Sequence, residues 1–89
     1  MFARRVRLAN ETGLHIRPAT IFMDTASRFQ AEVEVIKDGQ AVNGKSAISL
    51  MLLEAIAGTE LTIRASGDDE VEAVDTLVAL VEGQFAADV

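Results

Sequence analysis

The sequence predicts an α+β fold in which a four-stranded antiparallel sheet is covered on one side by three helices. Each strand-like segment alternates apolar with polar residues, and each long helical segment carries one apolar face. The elements run strand, helix, strand, strand, short helix, strand, helix. Elements with one apolar face must share one core, so the economical solution is a single layer of helices on a sheet whose other face is wet.

Phe2, Arg4, Val6 and Leu8 alternate with Ala3, Arg5, Arg7 and Ala9, which suits a half-buried strand that Asn10 to Gly13 ends. Ile16 to Phe29 follow a helical period. Ala19, Phe22, Met23, Ala26 and Phe29 share one stripe, with Arg17, Thr20, Ile21, Asp24 and Arg28 opposite, and Pro18 fits the first turn. Ala31, Val33 and Val35 alternate with Glu32, Glu34 and Ile36. Asp38-Gly39 then supplies a tight hairpin turn before Gln40 to Val42 returns. Ser46 to Leu53 reads as a short helix with Ser46 as N-cap, and Leu61, Ile63 and Ala65 mark a fourth strand. Asp69 and Glu72 have capping-box spacing ahead of a buried stripe of Val71, Val74, Leu77, Val78, Val81 and Phe85. The acids Asp68 to Glu72 sit where a helix dipole favours them. Strand order does not follow from these patterns; element order alone suggests a ferredoxin-like arrangement.

At 89 residues with 49% hydrophobic content, the chain has the length of one domain, expected over 1–89. With no cysteine it has no disulfide framework or thiolate metal site, which favours the cytoplasm. The longest apolar run, Ile48 to Leu53 interrupted by Ser49, falls far short of the roughly 20 residues of a membrane helix, and the first residues lack a signal-peptide apolar region. A soluble, unexported protein is expected. A net charge of -6 argues against general nucleic-acid binding. Residues 1–28 carry +3 and the remainder -9, so the basic third either attracts an acidic protein surface or is simply a solvated face.

The chemistry concentrates in Gly13-Leu14-His15-Ile16-Arg17-Pro18-Ala19. His15, the only histidine, stands just before a helix start, where its ring can lie beside backbone N–H groups in an anion-binding corner. A helix N-terminus disfavours imidazolium and favours a phosphoryl group added to the ring. Arg17 offers a permanently charged planar fork to phosphate oxygens. Taken alone, a histidine there also serves as a cap or surface residue. No Ser/His/Asp set, histidine-pair metal site or GxxxxGK[ST] loop is present, so phosphate must arrive from another protein. Ile16, Arg17, Thr20 and Ile21 beside Ile48, Met51 and Leu52 form an expected exposed docking surface, with Leu50 and Leu53 inward; the alternative is a wholly buried short helix.

The sequence resembles the family of the histidine-containing phosphocarrier protein HPr of the bacterial phosphoenolpyruvate-dependent sugar phosphotransferase system. The resemblance runs through essentially the whole chain. It rests on Asn10-Glu11-Thr12-Gly13-Leu14-His15-Ile16-Arg17-Pro18-Ala19-Thr20, on Val42-Asn43-Gly44-Lys45-Ser46, and on Gly58-Thr59-Glu60-Leu61-Thr62-Ile63 leading through Gly67 to the last helix. It implies an open-faced β-sandwich and a phosphoryl relay. Nδ1 of His15 takes phosphate from a phosphohistidine on enzyme I and hands it to enzyme IIA domains, Arg17 stabilises the transferred group, and the protein is a carrier with a transient phosphohistidine rather than an enzyme. Such positioning and charge neutralisation around an in-line transfer leaves most rate enhancement to the docked partner. A monomer without metal or bound cofactor is expected.

The resemblance also gives Ser46 the position at which some members are regulated by an ATP-dependent kinase/phosphorylase. Phosphate there would sit at a helix N-terminus beside Lys45 and change the docking face by charge, and modified members can bind a transcriptional repressor. Its other role is an N-cap. Members that only regulate tend to lack the active histidine, which this chain keeps; a nitrogen-regulatory branch and a docking regulator remain as alternatives. Three residues depart from the family pattern. Ile16 stands where alanine or threonine is more usual, Asp24 puts an acid on the docking helix, and Glu54 replaces the glycine that commonly ends the short helix. Arg28 and Lys45 partly offset the charge of Asp24 toward an acidic partner.

Overall fold

The computed structural model describes residues 1–11 and 13–85; Thr12 of the motif lies outside them. The strands follow the alternation. In β1 (Phe2–Arg7) Val6 is buried between exposed Arg5 and Arg7, and Leu8 continues the buried series just beyond the strand. Helix α1 (Ile16–Ala26) is followed by the hairpin β2 (Glu32–Lys37) and β3 (Gln40–Asn43), then by the short α2 (Ala47–Leu52). Strand β4 (Glu60–Ser66) and helix α3 (Glu70–Glu82) complete the order. Asp38 and Gly39 both have positive φ, 50° and 82°, the paired left-handed geometry that matches the twist of a two-residue hairpin.

All strand pairs are antiparallel, in the order β1-β4-β2-β3. A ferredoxin-like sheet would place β1 inside; here β1 is an edge and β4, the last strand made, takes the centre. Val6 faces Leu61 and Val35 faces Ile63 across the ladder, so the buried side chains of three strands meet in one layer. Onto it pack Ala19, Phe22 and Ala26 from α1, Leu50 from α2 and Val74, Leu77, Val78 and Val81 from α3. The first strand's arginines are held locally. Arg4 pairs with Asp75 at 2.9 Å, Arg5 lies 3.9 Å from Glu60, and Arg7 donates to the Gly58 carbonyl at 2.7 Å. The basic third of the sequence is therefore divided between β1, with Arg4, Arg5 and Arg7, and the segment that runs from Arg17 on α1 to Arg28 in the turn just beyond it.

Several local expectations need correction. β1 stops at Arg7 rather than Ala9: Leu8 N–H still donates to the Thr59 carbonyl at 2.8 Å, but the Leu8 carbonyl accepts from Gly58 N–H at 2.7 Å, one residue out of the β1–β4 register. α1 stops at Ala26, and Phe29 belongs to the turns that follow, where it is half-buried; Thr25, absent from the expected stripe, is buried. Val71 is 50% exposed, and the inward stripe of α3 starts at Ala73 and Val74.

The capping box is absent. Asp69 is the N-cap of α3, yet its side chain makes no capping bond. Its carboxylate accepts instead from Gln30 N–H at 2.9 Å and Ala31 N–H at 2.8 Å, while Glu70 accepts from Gly67 N–H at 3.1 Å. The turn between α1 and β2 exposes two N–H donors that no ladder satisfies, and an acid 38 residues later serves them. Those two bonds, ahead of the Lys45 charge, lower the Asp69 carboxyl from its ordinary value of 3.8. A lowered native value means that the contribution is complete above the ordinary value and vanishes as pH falls through the native one. Asp69→Asn is expected to lower Tm at neutral pH, and the gap to wild type should close below about pH 4 in thermal melts across acid pH.

Candidate functional site

His15 is the N-cap of α1, with extended backbone (φ -96°, ψ -164°), and the first helical bond runs from Ala19 N–H to its carbonyl at 2.9 Å. Among the described residues its side chain makes no capping bond, which removes the simplest structural role for it. The ring is exposed and borders a depression lined by Leu14, Met51, Glu54, Ala55 and Ile56. The first two helical residues, Ile16 and Arg17, carry N–H groups and the third, Pro18, carries none, so the helix start offers donors on the His15 side and a buried ring beneath. Arg17 is exposed two residues on.

The loop bearing His15 is stitched to the turn after α2. Leu14 N–H donates to the Ala55 carbonyl at 2.9 Å, and Leu14 is buried. Gly13 has φ 71°, and a Cβ there would lie 2.5 Å from the Ala55 oxygen. Only glycine admits both this backbone conformation and this approach. The facing turn is less well suited: Glu54 has φ 53°, left-handed geometry on a residue with a Cβ, at the position where the resemblance expects glycine.

The expected docking residues divide. Ile16, Ile48 and Leu52 are 55%, 69% and 66% exposed, Met51 is half-buried, and Leu50 and Leu53 are buried, so the short helix does present an apolar face outward. Thr20 is half-buried and donates its hydroxyl to the Ile16 carbonyl at 2.7 Å. Ile21 borders a different groove, between α1 and α3, with Asp24, Thr25, Arg28 and Leu80. That groove is larger than the His15 depression but contains neither His15 nor Arg17. Lys45 directs its ammonium to the Phe29 carbonyl at 2.7 Å, a structural bond at the end of the α1 turn. Ser46 caps α2, its Oγ accepting from Ser49 N–H at 3.2 Å.

Two features escaped the sequence reading. Ile56, 71% exposed beside the His15 depression, sits in a nonperiodic loop and carries no pattern signal. Lys37, on β2, donates to the Leu53 carbonyl at 2.9 Å, a contact across 16 residues that no local rule anticipates.

A family model described as the PTS HPr component phosphorylation site matches residues 2–83. The HPr-like protein Crh of Bacillus subtilis is 44% identical over 82 residues, 92% of this chain and 96% of Crh. A crystal structure of Crh, a swapped-domain dimer, superposes with TM-score 0.77 at 43% identity, covering 94% of this chain and 97% of the other. Phosphocarrier protein HPr of Neisseria meningitidis serogroup A is 41% identical over 85 residues, 96% of each chain. The HPr structure from Thermoanaerobacter tengcongensis reaches TM-score 0.93 at 42% identity over 97% of both chains. An open-faced antiparallel sheet with a histidine at the first helix start and a match of this extent define a phosphoryl-carrier class of protein. The chain belongs to the HPr family, whose members are phosphocarriers rather than catalysts.

Two substitutions test the stitched loops. Glu54→Gly should stabilise the fold by about 0.5 to 1 kcal/mol, because relief of the left-handed strain exceeds the added unfolded-state entropy. Gly13→Ala should destabilise by about 1 to 3 kcal/mol, through strain and through collision with the Ala55 oxygen. Urea unfolding with unchanged m-values is the measurement for both.

Proposed function

We propose that this protein carries phosphoryl groups in the phosphoenolpyruvate-dependent sugar phosphotransferase system, accepting them on His15 from enzyme I and delivering them to enzyme IIA domains. The observation that carries this reading is an exposed histidine that opens α1 without capping it. The Nδ1 lone pair of His15 attacks phosphorus in line. The P–N bond to the histidine of enzyme I breaks as the new one forms, and its electron pair stays on the departing imidazole. The phosphoryl oxygens then meet the N–H groups of Ile16 and Arg17 and the positive end of the helix, with the Arg17 guanidinium neutralising charge. Nothing else is required of the carrier, since the docked partner supplies the remaining alignment.

In this reading partners dock over Ile16, Ile48, Met51 and Leu52, the apolar side chains that flank His15 outside the core. Thr20, Ile21 and Lys45 belong to the same proposed surface as supports, through the helix backbone, the α1–α3 groove and the Phe29 carbonyl. The carrier works as a monomer in the cytoplasm. Among the described residues no helix is long and apolar enough to cross a membrane.

A regulatory role is the second reading. Ser46 caps α2 between Lys45 and the exposed Ile48, so a phosphate from a dedicated kinase would place a dianion on the docking face at a helix start. The 44% identity with Crh supports this reading, whose destinations would be a transcriptional regulator or a nitrogen-related branch.

The test is incubation with phosphoenolpyruvate and purified enzyme I. Wild type and Ser46→Ala should gain an acid-labile phosphate, His15→Ala should gain none, and Arg17→Ala should be labelled at least about tenfold more slowly, as expected for loss of one charge-assisted contact. Absence of acid-labile label on wild type, with enzyme I shown active on another carrier, removes the proposal.

A further inference from the structure

We infer that Lys37 is a positioning residue for His15: its ammonium closes the C-terminal end of α2 and thereby fixes the turn on which the His15 loop rests. None of residues 47–52 of α2 is basic, so the helix has no cation of its own where its terminal carbonyls gather. Lys37, at the end of β2, fills that role from outside. Its Nζ lies 2.9 Å from the Leu53 carbonyl oxygen and 3.4 Å from that of Glu54.

These two carbonyls belong to the two peptide planes that meet at the Glu54 Cα. Gathering both toward one ammonium fixes how the planes are turned relative to each other, and that relative turn is the left-handed geometry of Glu54, φ 53°. Lysine thus holds a conformation that a side chain with a Cβ disfavours. The next carbonyl along, that of Ala55, accepts from Leu14 N–H at 2.9 Å, and Leu14 immediately precedes His15. The path from Lys37 to the histidine is therefore one ammonium, one turn and one backbone hydrogen bond. Loss of the ammonium lets the turn relax, lengthens the Leu14 bond and loosens the ring with respect to the helix start.

This inference rests on the carrier reading only for its activity measurement; its structural measurement is independent. The variant is Lys37→Met in the full chain, which keeps an apolar stem and removes the charge. Amide hydrogen exchange at Leu14 should accelerate about tenfold, the effect of one lost charge-assisted hydrogen bond, while Ile63 and Val74 in the core keep their rates. The His15 ring resonances should shift, and Lys37→Arg should restore both signals. In a Glu54→Gly background the acceleration should fall to less than about half, since glycine adopts the same turn without the strain that the ammonium offsets. With enzyme I, kcat for phosphoryl transfer should fall while KM stays, as Lys37 supports the ring and not the docking face.

Equal acceleration at Leu14 and Ile63, or no change at Leu14, overturns the inference and leaves Lys37 as a general stabiliser or a bystander. An identical effect in the glycine background overturns the link to Glu54. Failure of wild type to accept phosphate removes the carrier reading, and the exchange data then still decide the role of Lys37.

Discussion

The arrangement depends on one close backbone approach, between Gly13 in the first loop and Ala55 in the turn after α2. No side chain fits between them: a Cβ on Gly13 would come within 2.5 Å of the Ala55 oxygen, and the adjacent Leu14 N–H binds that same oxygen. This contact joins segments some forty residues apart and presents His15 and the apolar face of α2 side by side. The core supports it from below, since Leu14, Leu50, Leu53 and Ala55 are all buried and anchor both sides of the seam. In the proposed relay such a seam would let partners of different shape find the histidine in one orientation.

Charge is distributed in keeping with that task. The arginines of β1 are spent on Asp75, Glu60 and the Gly58 carbonyl, so they contribute to the sheet and its neighbours more than to a binding field. Exposed pairs of this kind are worth little individually. Asp69 and Lys45 serve the turn after α1 by binding its N–H groups and the Phe29 carbonyl, respectively. The two ends of α1 thus do different work. Its start carries His15, the proposed phosphoryl acceptor, and its end is secured by groups borrowed from distant parts of the chain.

Much of this was legible in the sequence, and the portion that was not has a common cause. Alternation in β1 as far as Arg7 and in β4, the Asp38-Gly39 turn and the Ser46 cap are decided by residues within a few positions of one another, and each forms where the pattern places it. The inward Leu50 and outward Ile48 and Leu52 follow from helical period in the same way. Asp69 and Glu72 also have a valid local spacing, but the donors at Gln30 and Ala31 compete for the same carboxylate and win, and a contact at that separation leaves no periodic trace. Lys37 on the Leu53 carbonyl and Ile56 beside His15 were hidden for the same reason. Strand order is the largest such case, because alternation shows which face is buried and not which strand lies alongside.

The start of α1 is the proposed seat of the phosphoryl group, with the Ile16 and Arg17 amides as its donors. Proton–nitrogen correlation spectra of the protein before and after phosphorylation of His15 test it most directly. The Ile16 and Arg17 amide protons should move downfield by more than any others in the chain, as donors to a newly arrived anion do. Amide signals at those two residues that stay in place while the largest changes fall elsewhere would contradict it.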